Sequence, residues 1–263
     1  MIRKKLSEAV MINNLIQLTS LPTLDLSIVA VAVFMAGLVR GFAGFGLSAV
    51  IMASIVTIIP PVELIPICYI LEGAASVAMF RGGMKDADMT VVWGLAIGSA
   101  IGVPIGLLAT TTIDTELSKL IALLIVLGLT FAQFFNIRPN FLSTKRGLYA
   151  SGVTAGIATG LASVGGLVVA LYVLGSTAEA KRIRASLIMF LFIGMFTSLV
   201  YLLLYEVMNQ QAFWRGVMLT PVVLLGVFSG TLLFRPKFVH LYKKVCLLLL
   251  ISLCIFGLGR QIF

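Results

Sequence analysis

The sequence predicts an all-α integral membrane protein with two inverted repeats of four helical segments each, the first and fifth segments being broken, re-entrant helices. Three observations predict this class. The chain is far more apolar than a water-soluble protein, basic turns bound its long apolar runs, and its two halves share a glycine-rich interruption. Together they leave room for little besides membrane-spanning helices.

Composition alone excludes a water-soluble domain. Of the 263 residues, 60% are hydrophobic and 11% are charged, with a mean hydropathy of +1.13. Soluble proteins have about 25% charged residues. A helical span takes about 20 apolar residues, so the chain has room for roughly six to eight spans and no soluble catalytic domain.

The positive charge has a topological meaning. Nineteen basic side chains against ten acidic ones give +9, which in a soluble protein would suggest nucleic acid. Here the basic residues lie at the ends of apolar runs, as the positive-inside rule requires of cytoplasmic loops. We therefore expect a multi-pass protein of the bacterial inner membrane, with the lipid bilayer as partner and no nucleic acid.

Eight apolar stretches define the domain organisation. We expect an N-terminal interfacial segment over residues 1–23, a first transmembrane repeat over 24–140 and a second over 141–263. The apolar stretches are residues 24–59, 62–80, 90–109, 117–137, 147–174, 185–207, 216–234 and 241–258.

The first and fifth stretches carry interruptions. Residues 24–59 would form a helix of roughly 54 Å, well beyond a hydrocarbon core of about 30 Å, so the helix must break. The break falls at residues 40–46, where an arginine and three glycines interrupt the apolar run. A second interruption, rich in glycine, runs from Gly152 to Gly166.

The two interruptions are copies of each other. When Gly46 is aligned with Gly165, Gly41 falls on Gly160 and Ala43 falls on Ala162. The glycines of residues 102–106 and 226–230 also correspond. The chain is therefore predicted to be a tandem duplication.

Loop charges orient the halves. If the basic turns are cytoplasmic, the fifth stretch must enter and leave on that side, as two half-spans of about 14 residues meeting near residues 160–166. The halves are then inverted. By symmetry the first stretch is a hairpin that enters the membrane from the outside. This disagrees with the basic Arg3–Lys5 start, unless the N-terminal segment crosses the membrane. The side of the N-terminus therefore stays open.

Two helix breaks in an inverted repeat predict a binding site in mid-membrane. The amides at the starts of the half-helices favour an anion, and the Arg40 guanidinium suits an oxyanion. Close helix packing by the glycines and snorkelling of Arg40 are the structural alternative. The candidate substrate-binding residues are Arg40, Gly41, Phe42, Gly44, Phe45, Gly46, Ser48, Thr159, Ser163, Gly165 and Gly166.

Two further charges are candidates for coupling or gating. Glu72 lies within an apolar stretch, where it could carry a proton, hold Arg40 in the absence of substrate, or simply neutralise it. Its counterpart in the second half is Leu191. Arg184 closes a basic run that serves mainly as a topology anchor, and it could also attract anions to a cytoplasmic vestibule.

Patterns for enzymatic chemistry are lacking in the sequence. It has one histidine, no phosphate-binding Gly-Lys-Ser/Thr loop and no cluster of histidines and carboxylates. We therefore expect no enzyme, no cofactor and no metal.

The glycine motifs, the chain length and the duplication resemble the TauE/SafE sulfite exporter family, also called TSUP, over roughly residues 27–263. The first family motif falls on Gly41, Gly44 and Gly46, and the second on Gly160, Gly165 and Gly166. The sequence departs from the commoner run of consecutive glycines, and Arg40 precedes its first motif. That departure leaves the particular substrate open.

The resemblance implies secondary transport of sulfur-containing anions. We expect alternating access for sulfite or organosulfonates, including sulfoacetate-like C2 or C3 compounds. The open alternatives are an anion channel or uniporter without a coupled conformational cycle, and a membrane scaffold. The expected partners are the small anion, the bilayer and, as an undecided point, a second copy of the chain.

Overall fold

A computed structural model describes residues 23–137, 144–174, 179–234 and 239–262 of the chain. Within these residues all ten regular elements are α-helices. They are α1 (Thr23–Ala43), α2 (Leu47–Ile55), α3 (Pro61–Asp86), α4 (Met89–Thr112), α5 (Thr115–Phe134), α6 (Lys145–Ala162), α7 (Gly165–Leu174), α8 (Ala180–Leu204), α9 (Gln210–Leu233) and α10 (Val239–Ile262).

Seven of the described helices are long and apolar enough to cross a membrane, namely α1, α3, α4, α5, α8, α9 and α10. The prediction of an all-helical, multi-pass membrane protein is thus confirmed. The predicted N-terminal interfacial segment and the predicted boundary between residues 140 and 141 lie outside the described residues.

Both predicted interruptions are real helix breaks. Between α1 and α2, Gly44 and Gly46 have φ values of +83° and +91°, a left-handed backbone that glycine adopts without steric cost. Between α6 and α7, Ser163 takes a φ of +56°. The two helices that flank the second break are less equal in length than the two half-spans expected from the sequence, since α6 has 18 residues and α7 has 10.

Glycines on α4 and α6 let these two helices pack backbone to backbone. A methyl group added at Gly102 would lie 2.8 Å from the amide nitrogen of Ile157 and 3.0 Å from the Cα of Gly156. Gly98 meets Gly152 and Gly106 meets Gly160, so residue numbers rise together along both helices and α4 runs parallel to α6. Such small-residue seams are typical of membrane helix pairs.

The same seam recurs between α1 and α9. Gly37 packs on Gly226 and Gly41 packs on Gly230, again with the residue numbers rising together. The third segment of each half, α4 or α9, therefore packs in parallel on the first helix of the other half. Of the aligned glycines, Gly41, Gly160 and those of residues 102–106 and 226–230 lie in the two seams, whereas Gly46 and Gly165 lie at the helix breaks.

Corresponding helices of the two halves pack antiparallel. On α3 and α8, the Phe80 and Phe192 rings lie 4.6 Å apart, and Lys181 at the start of α8 contacts Asp86 at the end of α3 at 3.0 Å. On α5 and α10, Gln261 donates a hydrogen bond to the Glu116 carbonyl at 2.8 Å. Gly257 and Leu123 are neighbours on the same pair.

These directions bring Lys145, Lys181 and Arg182 to one face of the protein. Arg182 at the start of α8 pairs with Asp88, which caps α4, at 3.1 Å. Because α6 runs alongside α4, Lys145 at its start lies at the same end of the bundle. The positive-inside rule predicts that this face is cytoplasmic.

The parallel glycine seam predicts a position-specific loss of stability. Gly102→Ala should lower the unfolding free energy by about 1–3 kcal/mol, because its methyl group would collide with the α6 backbone. The measurement is thermal unfolding of the purified protein in detergent. Gly128→Ala is the matched control, since a methyl group there meets nothing within 4 Å. Equal melting temperatures for both variants would contradict the packing described.

Candidate functional site

Arg40 lies at the first helix break and is fully buried, with 0% exposure. Its side chain uses all three nitrogens. Nε pairs with a Glu72 carboxylate oxygen at 3.0 Å, one terminal nitrogen donates to the Ser76 hydroxyl at 2.9 Å, and the other donates to the Gly44 carbonyl. The guanidinium thereby joins the end of α1 to the middle of α3.

Glu72 occupies the amino end of α2. Its carboxylate accepts from the Ser48 hydroxyl at 3.1 Å and from the Ser48 amide at 3.4 Å. Gly46 is the N-cap residue of that helix and contributes no side chain, so the carboxylate from α3 takes the place of an N-cap group. The positive helix end and Arg40 both stabilise the negative charge of Glu72.

The Arg40–Glu72 pair needs its polar surroundings. A charge in the interior of a membrane protein is costly unless it is paired and hydrogen-bonded. Glu72 keeps 14% of its side chain exposed, whereas Arg40 keeps none. The pair therefore presents Glu72, and not the Arg40 guanidinium, to open space.

That open space is a cavity of about 60 Å³ between α3, α4, α8 and the α6–α7 break. One water needs roughly 10–15 Å³ of such volume, so the cavity holds a small solute or a few waters. Glu72, Thr159, Ser163 and Gly166 from the predicted site line it. Its other polar residues are Tyr69, Ser99 and Ser198.

The second break meets the first at this cavity. A methyl group added at Gly166 would lie 3.6 Å from Leu191 and 3.8 Å from Phe45 Cβ, both in ordinary contact. The Leu167 amide donates to the Val164 carbonyl at 2.9 Å, so the amides left at the start of α7 are those of Gly165 and Gly166. Gly166 lines the cavity and places the amino end of α7 at its wall, with Ser163 and Thr159 beside it.

Arg184 binds the carboxyl end of α1. Its Nε donates to the Phe42 carbonyl at 3.0 Å, a terminal nitrogen donates to the Gly41 carbonyl, and its guanidinium lies 4.5 Å from the centre of the Phe234 ring. Arg184 also lines a second cavity of about 350 Å³ between α3, α8 and α9. The role of Arg184 at a cytoplasmic vestibule stays a prediction.

The predicted residues thus fall into three places. Glu72, Thr159, Ser163 and Gly166 line the central cavity. The residues that surround or shape the Glu72 carboxylate are Arg40, Gly44, Gly46 and Ser48, and Phe45 is buried close to Gly166. The residues engaged in helix contacts are Gly41, Phe42 and Gly165.

Sequence reasoning missed several polar groups. Ser99 and Ser198 line the cavity but are isolated serines in apolar helices, and nothing in their neighbourhood marks them. Arg215 is 6% exposed and pairs with Glu63 at 2.6 Å, forming a second ion pair at the other end of α3. The sequence signal for Arg215 was a cation directly before the apolar stretch of residues 216–234.

The arrangement can hold a small anion without covalent chemistry. Helix amides and hydroxyls provide hydrogen-bond donors, and Arg40 supplies a positive charge behind Glu72. The described residues contain no group of three or more histidine, cysteine or carboxylate side chains placed to hold a metal ion.

Comparison with known proteins identifies the family. The profile of the family described as sulfite exporter TauE/SafE matches residues 29–257, which is most of the chain. No curated protein and no solved structure gives a significant match. The matched region contains both helix breaks, the Arg40–Glu72 pair and the whole central cavity. The chain belongs to the TauE/SafE sulfite exporter family of membrane transporters.

Proposed function

We propose that the protein is a secondary transporter that moves sulfite or short organosulfonate anions across the inner membrane by alternating access. The observation that carries this proposal is the central cavity, where both helix breaks meet beside a buried Arg40–Glu72 pair. Polar backbone and charge at this depth are tolerated only where they face protein or a solvated cavity.

The anion binds between the α7 amides and the Arg40–Glu72 pair. Arg40 and Glu72 cancel in charge, so the amino end of α7 leaves the site with an excess of positive potential. Ser163 and Ser99 offer hydroxyls to the oxygens of the anion, whereas the Thr159 hydroxyl donates to the Ala155 carbonyl at 2.8 Å. A sulfur oxyanion has several acceptor oxygens and matches this set of donors.

An inverted repeat accounts for the helix contacts. Corresponding helices α3 and α8 run antiparallel, as do α5 and α10, which is what a two-fold axis in the membrane plane requires. The parallel pairs α1–α9 and α4–α6 are exchanged by the same axis. Each break is then a re-entrant hairpin, one entering from each side of the membrane.

Export needs no coupled ion under this scheme. The membrane potential drives a monoanion out of the cytoplasm by about 2.3 kcal/mol per 100 mV. Arg184 in the cytoplasmic cavity favours entry of anions from that side.

Cysteine labelling tests the re-entrant arrangement. In a background without the native cysteines, cysteines at Lys145 and Glu179 should react with a membrane-impermeant reagent from the cytoplasmic side, because α6 and α7 together return to it. Cysteines at Asp114 and Glu206 should react from the opposite side. Labelling of Lys145 and Glu179 from different sides would rule out the hairpin.

The ion pair predicts an asymmetry between single and double variants. Arg40→Gln should cost about 3–5 kcal/mol of stability, since it strands a buried carboxylate, and adding Glu72→Gln should recover much of that loss. Thermal unfolding in detergent measures both. The control is the ion pair between Lys119 and Glu116 on α5, whose glutamate is 66% exposed. Lys119→Gln should lower the stability by less than about 1 kcal/mol. A double variant less stable than Arg40→Gln alone would contradict the pairing.

Transport itself is tested in proteoliposomes with sulfite. Gly166→Ala narrows the cavity at the α7 amides without a steric clash, so it should raise the Kd for sulfite roughly tenfold, the effect of losing one hydrogen bond to a charged group. Gly128→Ala is the matched control and should leave flux unchanged.

Saturable flux with counterflow of labelled sulfite is the result expected of a carrier. Unsaturable flux without counterflow would indicate a channel. No flux and no binding of any sulfur anion would overturn the proposed function.

A further inference from the structure

The two halves use the amino ends of their half-helices differently. At α2 the position of an anion is taken by Glu72, whose carboxylate binds Ser48. When Gly46 is aligned with Gly165, Glu72 corresponds to Leu191, which is apolar. At the corresponding place beside the amino end of α7, the described residues therefore offer Leu191, which lines the cavity, and not a carboxylate.

A second observation points to a ligand in this cavity. Ser99 is 4% exposed and lines the cavity, and none of the described residues hydrogen-bonds its hydroxyl. A buried hydroxyl without a partner costs free energy, and a bound polar solute removes that cost. The cavity therefore combines helix amides without an anion and a hydroxyl without a partner.

Glu72 determines the charge at the opposite wall. Among the cavity-lining residues it is the one charged side chain, and Arg40 lies behind it, out of the cavity. An anion held at the α7 amides must therefore approach a carboxylate. A second negative charge on the ligand would be repelled, whereas a ligand hydrogen could be donated to the carboxylate.

We propose that Glu72 is the specificity-determining residue of this site and selects singly charged sulfur oxyanions that carry a hydrogen-bond donor. Hydrogensulfite and hydroxyl-bearing sulfonates meet this requirement, and sulfate and sulfonates without a donor do not. The inference rests on the proposed transport function and narrows its substrate class, placing sulfoacetate, a donor-free dianion, among the poor ligands.

The surroundings of Glu72 leave it as the acceptor. Arg40 on α1 and Ser48 on α2 bind the carboxylate from behind, Cys68 and Tyr69 share its helix, and α4, α6 and α8 contribute hydroxyls and apolar side chains to the cavity. The polar and titratable residues packed around Glu72 or lining the cavity are Arg40, Ser48, Cys68, Tyr69, Ser99, Thr159, Ser163 and Ser198.

Two matched ligand pairs test this on the unmodified protein. Isethionate and ethanesulfonate differ by one hydroxyl, and hydrogensulfite and sulfate differ in charge, in the hydrogen and in one oxygen. By isothermal titration calorimetry below neutral pH, the hydrogen-bearing member of each pair should bind roughly tenfold to hundredfold more tightly. A difference within about twofold in both pairs would overturn the inference.

Glu72→Gln removes the charge and keeps the shape. In this variant the Kd values for hydrogensulfite and sulfate should lie within about threefold of each other. The change should come mainly from a lower Kd for sulfate, because the repelling charge is gone. Glu116→Gln, at an exposed helix end, is the control and should keep the discrimination of the unmodified protein. Full discrimination retained in a folded Glu72→Gln protein would overturn the assignment.

The outcomes separate this inference from the proposed function. Tight binding of sulfonates with no preference for a donor refutes the role of Glu72 and leaves transport standing. Absence of binding for every sulfur anion refutes the proposed function itself. If Glu72→Gln does not fold, the two ligand pairs on the unmodified protein decide the matter alone.

Discussion

The Arg40–Glu72 ion pair is the constraint on which the rest of the site depends. A guanidinium with no exposure must find its partners within the protein, and Arg40 does so through an ion pair with Glu72 and hydrogen bonds to Ser76 and the Gly44 carbonyl. The last of these contacts exists because the chain leaves the helix at Gly44. The first helix break and the charge are therefore two parts of one arrangement, since both need polar partners away from lipid.

Much of the architecture was predictable because the membrane allows few solutions. An apolar run too long for the bilayer, with Arg40 and three glycines inside it, had to break, and it breaks at Gly44–Gly46. The second break likewise falls at Ser163, within the predicted meeting point of residues 160–166. Backbone hydrogen bonding and hydrophobic length fix these features, and both can be read from one sequence.

The site was predictable only in part, for reasons of packing. A glycine in a membrane helix can contact either a ligand or a neighbouring helix, and the sequence does not say which of the two packs against it. Gly41 meets α9, whereas Gly166 borders the cavity. Ser99 and Ser198 reach that cavity through the tertiary fold alone. Alignment of the two halves with each other shows one feature of the site, because Glu72 in the first half corresponds to Leu191 in the second.

The two glycine seams have a mechanical consequence. Where backbones touch with no side chains between them, as at Gly37–Gly226 and Gly102–Gly156, two helices lack the compliance to slide and behave as one stiff rod. Each rod takes one helix from each half of the chain. In the proposed transport cycle the moving bodies are therefore hybrids of the two halves, so the repeated unit of the sequence and the moving unit of the structure do not coincide.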